Sequence, residues 1–321
     1  MIPKQGDLVM KAIRPDSGQR GVALITAILV VALATAAGVA VATRQHIDIR
    51  RTENLLNADR AYLYALGGEA WAKAILARDR NDGDVDHLGE DWARKIPPLP
   101  VDGGSVSGYI EDMQGRFNIN NLAVSGENFE IDLARFRRLL ANVGLNESLA
   151  DAVVDWVDPD IEPRFPDGAE DDFYLGQEPA YRTANRPMTS ASELRLVRGF
   201  DQESVEKLLP YVVALPLATP VNVNTAPPPV LESLFAGLDE SQVRQLVEAR
   251  EEEAFNRVED FLQHEVFRDL SPDASRLSVR SDYFAVTAEA VIGSSQVSLL
   301  SLIHRSGDNQ FTVLGRSLGG L

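Results

Sequence analysis

Residues 20–42, RGVALITAILVVALATAAGVAVA, set the architecture of this chain, because a basic leader meets a long apolar run there without a break. From Val22 to Ala42 the chain has 21 residues and no charged side chain. A helix needs about 20 apolar residues to cross the hydrocarbon core of a bilayer. A secretory signal peptide would instead end its apolar region in a small-residue cleavage site and then turn polar. The stretch therefore predicts a membrane-spanning helix over residues 22–42, and the helical pattern continues to about Arg78.

The join resembles a type IV prepilin-like leader, in which a peptidase cuts after a glycine and the apolar helix stays on the mature protein. The resemblance implies a leader over residues 1–21, cleavage after Gly21 and N-methylation of Val22. In pilin-like families the fifth residue after the cut is usually Glu, but here it is Thr26. The resemblance implies that this Glu carboxylate pairs with the N-terminal amine of the neighbouring subunit. A lone carboxylate within a bilayer is costly, and a subunit with no neighbour on one side would not need one. An uncleaved signal anchor is the alternative that the join leaves open.

Charge and cysteine content narrow the possible functions. The 321-residue chain carries a net charge of −17 and has no cysteine, so no disulfide is available to it. Such an acidic body repels phosphate backbones, which argues against nucleic-acid binding. The basic residues ahead of the apolar run predict a cytoplasmic N-terminus, a single membrane pass and an exported C-terminal body. These residues are Lys4, Lys11, Arg14 and Arg20. The prepilin-like resemblance implies that the membrane is the inner membrane and that the body is periplasmic.

Strand patterns flank a long helical block, which predicts an α+β fold. Ser105–Gln114 has the pattern of a first strand, and three more patterns follow the block, at Asp282–Ile292, Gln296–His304 and Phe311–Leu314. We infer that the first strand pairs with the last three, so that a pilin-like long N-terminal helix packs on a small antiparallel sheet. The Asp79–Pro100 stretch is rich in Asp, Gly and Pro and predicts a loop. The predicted boundaries are residues 43–116 for the helix and first strand, 117–275 for an inserted all-α domain, and 276–321 for the last strands.

Helical patterns fill the inserted domain, where short connections that contain Gly predict helical hairpins. The block includes a weak internal repeat, in which Asn118-Ile119-Asn120-Asn121-Leu122 returns as Val221-Asn222-Val223-Asn224-Thr225-Ala226. These Asn side chains could cap a helix or close an Asx-turn. The candidate helices are Asp132–Val143, Glu147–Val157, Ser190–Leu196, Gln202–Tyr211, Pro227–Phe235, Glu240–Glu252 and Val258–His264.

The hairpins resemble SAM-like and helix-hairpin-helix modules, and the latter bind DNA through backbone N–H groups and basic side chains. Here the second helix after the repeat carries five glutamates against Arg244 and Arg250. A role in packing or protein binding is therefore the prediction. A membrane-tethered DNA-binding protein is kept as an alternative.

An acidic loop from Asp155 to Asp172 predicts a cation site. It holds eight carboxylates in 18 residues, together with three prolines and one glycine. Carboxylates this close repel one another unless a cation neutralises them, and Ca²⁺ takes about six to eight oxygen ligands in irregular loops. Two alternatives are a solvated loop with Arg164, Arg182 or Arg186 as counter-charge, and an uncut membrane-anchored periplasmic hydrolase that uses the carboxylates. The predicted calcium ligands are Asp158, Asp160, Glu162, Glu170, Asp171 and the Gly168 carbonyl.

Taken together, these features resemble a minor pseudopilin of type II secretion, of the large K class (GspK). The resemblance covers nearly the whole chain. It implies a protein without enzymatic activity that caps the pseudopilus tip, starts its assembly with minor pseudopilins of the I and J classes, and serves the export of folded proteins across the outer membrane. It further implies processing by prepilin peptidase, partner contact along the helix from Val22 to about Arg78, secreted proteins as further partners, and calcium, which has been seen in the family. The motifs that carry it are residues 19–26, Gly115–Asn120, the Asp155–Tyr174 loop, Ser192-Glu193-Leu194, Val221–Ala226 and the C-terminal strands.

Overall fold

The structure, a computed structural model, describes residues 19–126, 128–268, 270, 272–307 and 310–319, with side chains from residue 21 onwards. Most of the predicted leader therefore lies outside the described residues. The chain divides into two units, one up to Leu56 and one from Asn57 onwards. Helix α1, Gln19–Asp82, has 64 residues and contributes to both units. Among the described residues it is the one helix long and apolar enough to cross a membrane.

In the first unit the side chains of α1 are exposed from Gly21 to Leu56. The run Val22–Ala42 is apolar on all sides, which is typical of a helix whose natural surroundings are lipid or other apolar helices. Beyond it the helix is amphipathic, yet Ile47 and Leu55 still lie on the surface. This part of the helix therefore has apolar area that the chain itself does not cover.

The second unit contains a five-stranded antiparallel sheet. The strands of the chain are β1 Ile96–Val101, β2 Gly104–Asp112, β3 Phe117–Asn118, β4 Val212–Val213, β5 Val221–Asn222, β6 Leu277–Ser278, β7 Tyr283–Ile292, β8 Ser295–Arg305 and β9 Phe311–Leu318. The sheet has the order β1-β2-β7-β8-β9, and β3 with β4 and β5 with β6 form two small parallel pairs. The predicted pairing of the first strand with the C-terminal strands is thus confirmed through β2 and β7.

Strand β1 corrects the sequence analysis, which predicted a loop over this stretch. It contains Pro97, Pro98 and Pro100. Proline has no backbone N–H to donate to a neighbouring strand, so it is not suited to the middle of a sheet. β1 pairs only with β2 and forms the edge of the sheet, which is the position where a strand tolerates proline. The prolines that hid the strand also protect this edge from pairing with another chain.

Helix α1 packs on the sheet through small side chains. Ala61 and Ala65 are fully buried against Ala288 and Ala290 of β7. The approach is close, since a Cβ atom on Gly68 would meet the Cβ of Ala288 at 3.0 Å. One turn further on, the helix covers a larger apolar cluster that is centred on Trp92 and Phe284 and includes Ala72, Ile75, Leu76, Ile110, Val286 and Ile303.

The inserted domain lies between β2 and β7 in the chain and has its own apolar core. The predicted helices are present, although most are shorter than expected. Ser190–Leu196 is a 3-10 turn from Ala191, which begins with a capping box formed by Ser190 and Glu193. The α-helices are α2 Phe129–Asn142, α3 Leu149–Val157, α4 Asp171–Tyr174, α5 Gln202–Leu208, α6 Pro228–Leu234, α7 Glu240–Glu252 and α8 Val258–Leu262. The observed architecture is the predicted α+β fold.

Candidate cation site and partner surface

The Asn repeat of the inserted domain forms two matching backbone contacts, which we call the Asn clamps. The side chain of Asn120 donates from Nδ2 to the Met188 carbonyl at 2.9 Å and accepts from the Met188 N–H at 2.8 Å. Asn224 makes the same two bonds with Phe255, each at 3.0 Å. Each clamp ties the residues after a short strand to a segment further along the chain. The repeat therefore marks two halves of the domain that close in the same way.

The first Asn of each repeat closes a turn onto the clamp residue. The Asn120 N–H donates to Asn118 Oδ1 at 3.1 Å, and the Asn224 N–H donates to Asn222 Oδ1 at 3.0 Å. The predicted Asx-turns are thus confirmed. The Asn side chains of both repeats are buried and satisfied by hydrogen bonds, which assigns the repeat to folding.

The acidic loop begins where α3 ends and is held from inside by Asp155. This side chain is fully buried, and its carboxylate accepts from the Arg164 N–H at 3.1 and 3.2 Å. Gly168 lies against the same carboxylate, because a Cβ atom at this position would collide with Asp155 Oδ2 and with the Arg164 backbone. These contacts bring the start and the end of the loop together.

Three of the predicted ligands, Asp158, Asp160 and Glu170, converge at this loop. Each offers a carboxylate oxygen, and these atoms all lie within 4.8 Å of one another. Glu170 is 5% exposed. Both of its carboxylate oxygens and Asp158 Oδ1 are buried and have no hydrogen-bond partner within the described part of the chain. Because buried carboxylate oxygens need a partner, these three residues, the carboxylate trio, have the donor set of a cation site.

Burial and the charges of neighbouring acids raise the pKa of three carboxyls at this loop, those of Glu170, Asp158 and Asp155. Burial raises the pKa of Glu170 to about 7, and the charges of Asp155, Asp158 and Asp160 act in the same direction. Burial also raises the pKa of Asp158, with Asp160 as the next cause, and raises the pKa of Asp155 to about 6. A bound cation would oppose these shifts, since it favours the charged form of each carboxylate.

The structure does not bring the other three predicted ligands into the trio. Glu162 is exposed, and its N–H closes a turn onto Asp160 Oδ1 at 2.9 Å. The Gly168 carbonyl accepts from Arg198 Nη1 at 2.9 Å. The carboxylate of Asp171 is engaged by the Thr183 N–H at 3.1 Å and by Arg182 Nη1 at 3.3 Å. Spacing along the chain grouped these residues with the trio, but the fold directs them elsewhere.

Asn185 is a candidate ligand that the sequence analysis missed. Its Nδ2 donates to the Asp160 carbonyl at 3.1 Å, which holds the amide beside the trio. Its Oδ1 is buried and has no hydrogen-bond partner among the described residues. The backbone of Asn185 is left-handed, with φ of 45°, a conformation that Asn adopts more readily than most residues. Asn185 lies 25 residues from Asp160, so no spacing rule within the acidic loop would have found it.

The arginines expected as counter-charges have other partners. Arg164 lies 3.6 Å from a carboxylate oxygen of Asp151, and Arg182 lies 3.3 Å from Asp171. Arg186 donates to the Pro187 carbonyl and to Thr189. Across the described ranges, no arginine forms an ion pair with the trio. Arg182 thus supplies counter-charge to one acid of the loop, Asp171, as the solvated-loop alternative expects, but not to the trio.

Comparison with known proteins places the chain in a family. Two family models, both described as type II secretion system (T2SS) protein K, match residues 115–217 and 221–280. The type II secretion system protein K of Pseudomonas aeruginosa is 41% identical over 313 residues, which cover 94% of this chain and 93% of the relative. The protein K of Pectobacterium carotovorum is 35% identical and matches 95% of this chain and 98% of its own length.

The chain belongs to the type II secretion system protein K family. The fold agrees, because the crystal structure of the GspK-GspI-GspJ complex from enterotoxigenic Escherichia coli matches 84% of this chain with a TM-score of 0.76 at 26% identity, and 99% of the matched chain is covered. The expected minor pseudopilin of type II secretion is thereby confirmed over the hydrolase and DNA-binding alternatives. The boundary between the two matched models, at residues 217–221, separates the two Asn clamps.

The structure also explains why α7 is a poor DNA contact. Arg250 points inward, and its Nη1 donates to the Val223 and Ala226 carbonyls, each at 2.8 Å. Arg244 pairs with Glu240 on the same helix at 3.0 Å. Both basic residues of the helix are therefore engaged within the chain, while several of its glutamates face solvent.

An apolar groove of about 220 Å³ lies between α1 and the β1–β2 hairpin. Its lining includes Trp71 of α1, which is 47% exposed, and Leu99 of β1, which is 41% exposed. Leu63, on the same part of α1, is 65% exposed. Large apolar side chains gathered at a groove are typical of surfaces that bind other proteins.

Proposed function

We propose that this chain caps the tip of the type II secretion pseudopilus and starts its assembly together with minor pseudopilins of the I and J classes. In this role it is a structural component without catalytic activity. The observation that carries the proposal is Thr26, whose hydroxyl donates back to the Val22 and Ala23 carbonyls at 3.1 and 3.0 Å. The Thr26 hydroxyl has its hydrogen-bond partners within its own helix. It therefore does not need the N-terminal amine of a neighbouring subunit, whereas the usual Glu carboxylate does. A terminal subunit is therefore the position in a filament that suits this chain.

The proposed contact with the partners runs along α1 and the groove beside it. Leu63 and Trp71 expose apolar area on the part of the helix that belongs to the second unit, and the groove extends from Trp71 to Leu99 of β1. Burying such area against a partner is worth about 25 cal/mol per Å² before the costs of association are subtracted. Secreted proteins are further partners in this proposal, and nucleic acid is not.

The experiment is co-expression of the full chain with prepilin peptidase and the I- and J-class minor pseudopilins of the same organism. The expected product, after detergent extraction, is a complex that contains one copy of each protein. Trp71→Ala should weaken the complex, whereas Phe165→Ala, which removes an aromatic ring that is 95% exposed outside the helix, should leave it intact. Absence of the complex, or equal loss in both variants, would contradict the proposed surface.

The membrane arrangement is also a proposal. We place the mature N-terminus at Val22 after cleavage following Gly21 by prepilin peptidase, with N-methylation of Val22. Residues 22–42 anchor the chain in the inner membrane before assembly, with the N-terminus in the cytoplasm and the body in the periplasm. Gly21 lies in the first turn of α1. A Cβ atom at this position would meet nothing within 4 Å beyond the adjoining helix, so a protease can approach it.

Calcium at the carboxylate trio is the cofactor in this proposal. Asp158, Asp160 and Glu170 supply carboxylate oxygens, and Asn185 supplies an amide oxygen. Hard oxygen donors in an irregular loop suit Ca²⁺ better than Zn²⁺ or Mg²⁺. When bound, the ion would neutralise the trio and tie the start of the loop to α4. Isothermal titration of metal-stripped protein with Ca²⁺, compared with an Asp158→Asn variant, tests this directly.

A further inference from the structure

A second group of buried charges lies where α1 ends, away from the carboxylate trio. Asp79 is in the last turn of α1, Asp86 and Glu90 are in the connection that leads to β1, and Arg305 ends β8. Carboxylate oxygens of the three acids lie within 4.8 Å of one another. Arg305 is 1% exposed and pairs with Asp86 at 2.6 Å and with Asp79 at 3.3 Å. We call these four residues the junction cluster.

The cluster joins three parts of the second unit. Asp86 accepts from the Ser281 N–H at 2.7 Å, and its backbone carbonyl accepts from Asn222 of the inserted domain at 3.0 Å. Arg305 also donates to the Ser281 carbonyl at 2.7 Å. Helix α1, the sheet and the inserted domain therefore meet through hydrogen bonds to Asp86 and Arg305.

The charges of the junction cluster do not balance. Three carboxylates face one guanidinium, and a further buried carboxylate, Asp112 of β2, and Asp86 repel each other. His87 Nε2 lies 3.9 Å from Glu90, and Arg80 is paired with Asp84. Three carboxylates and one guanidinium sum to −2, and one bound proton reduces this buried charge to −1.

A proton suits the cluster better than a metal ion does. Both carboxylate oxygens of Asp86 already accept from Arg305. Glu90 Oε2 accepts from the His87 N–H and from Trp92 Nε1. The guanidinium thus occupies the position beside the acids that a cation would need. Burial raises the pKa of Asp79 to about 7, with Glu90 and Asp86 as the next causes and Arg305 opposing them.

We propose that Asp79 carries a proton that it shares with Glu90, and that this proton makes the junction of α1, the 83–93 connection and β8 a pH-sensitive switch. With the proton in place, the connection is fixed to the helix end. Loss of the proton leaves three negative charges around Arg305 and loosens the connection. The contacts of Asp86 with Asn222 and Ser281 transmit this change to the inserted domain.

The direction of the pH effect follows from the difference between the pKa of Asp79 in the folded chain and in the unfolded chain. The pKa of Asp79 is higher in the folded chain than its ordinary value of 3.8, so the folded state binds the proton more strongly. The stability that this group contributes is complete below about pH 4 and is lost as the pH rises to about 7. Other buried acids titrate in the same range, so a local measurement is required.

The experiment is hydrogen exchange of the full chain in detergent, followed at residues 83–93 and corrected for intrinsic rates. We expect the local opening constant to rise by up to about tenfold per pH unit between pH 5 and 7. Asp79→Asn keeps a hydrogen-bond donor without a charge and should remove this rise. Asp84→Asn, which changes an acid that is 77% exposed, should keep it.

Two results would overturn the proposal. One is a larger opening constant of the 83–93 connection in Asp79→Asn than in the wild type at every pH. Asp79 would then stabilise the junction as a charged carboxylate paired with Arg305. The other is protection by added Ca²⁺ or Mg²⁺ that Asp79→Asn abolishes, because the cluster would then hold a cation. If Asp79→Asn does not fold, Glu90→Gln is the second variant, and it should flatten the pH profile in the same way.

Discussion

Asn120 satisfies both backbone polar groups of Met188 with a single side-chain amide, and Asn224 does the same for Phe255. The two contacts lie at equivalent positions of the repeat, one in each half of the inserted domain. Without the amide, a buried N–H and a buried C=O would lose their partners together. The domain thus depends on two buried polar side chains as well as on its apolar core.

Asn120→Ala should destabilise the protein by about 2–5 kcal/mol, because it leaves several buried groups unpaired at once. Asn224→Ala should act in the same direction but less, since Asn120 also donates to the Leu215 carbonyl. Denaturant unfolding followed by circular dichroism measures both. Asn142→Ala, which removes one bond at an exposed site, is the control and should cost less than about 1 kcal/mol. Equal effects at all three sites would contradict the role of the clamps.

The carboxylate trio should make stability depend on calcium and on pH together. The folded pKa of Glu170 is raised to about 7 from 4.5, so without metal the stability from this group is lost as the pH rises between about 4.5 and 7. Saturating Ca²⁺ should abolish that loss and raise the midpoint of thermal unfolding at pH 7.5. Calcium affinity should fall below pH 7, because protons compete for the same oxygens.

Matched variants separate the trio from the rest of the acidic loop. Asp158→Asn and Glu170→Gln should remove the calcium effect, and Glu162→Gln and Asp172→Asn should retain it, since both of these acids are exposed. Thermal unfolding with Ca²⁺ and with a chelator is the measurement. A calcium effect that persists in both trio variants would place the metal elsewhere.

Gly168 should tolerate no larger residue. Gly168→Ala would push a methyl group into Asp155 and the Arg164 backbone, and we expect a loss of at least about 1–3 kcal/mol and weaker calcium binding. Gly67→Ala is the control, because a Cβ there meets nothing within 4 Å and alanine favours a helix by about 1 kcal/mol. A Gly168→Ala protein as stable as the wild type would contradict the close packing of the loop.

Thr26 should tolerate an apolar replacement but not an acidic one. Thr26→Val removes hydrogen bonds that lie within the helix, and secretion of a folded exported protein should stay close to wild-type level. Thr26→Glu places a carboxylate in the apolar run with no neighbouring amine at the filament end, and secretion should fall. A wild-type level of secretion in Thr26→Glu together with reduced secretion in Thr26→Val would argue against a terminal position in the filament.

The strands and helices could be predicted from the sequence where periodicity and turn residues agreed. The order of the sheet followed from strand patterns on both sides of a helical block, and α7 has the predicted bounds, Glu240–Glu252. Strand β1 was missed because its prolines indicate a loop, whereas at a sheet edge they do no harm. Edge position is a tertiary property, and no local pattern reveals it.

The candidate site was only partly predictable for a similar reason. Acidic density identified the loop, but which acids converge depends on how Asp155 and Gly168 fold it. Asn185 comes from a separate segment. The junction cluster was not predicted at all, because Arg305 and Asp86 are 219 residues apart in the chain. Contacts of this range are set by the packing of the sheet against α1.

The most direct test of a processed pseudopilin is the intact mass of the full chain, expressed with and without an active prepilin peptidase. The account predicts a loss that corresponds to Met1–Gly21 only when the peptidase is present, with one methyl group added to Val22. A catalytically inactive peptidase is the control and should leave the mass unchanged. An unchanged mass in the presence of the active peptidase would contradict the account and would favour an uncleaved membrane anchor.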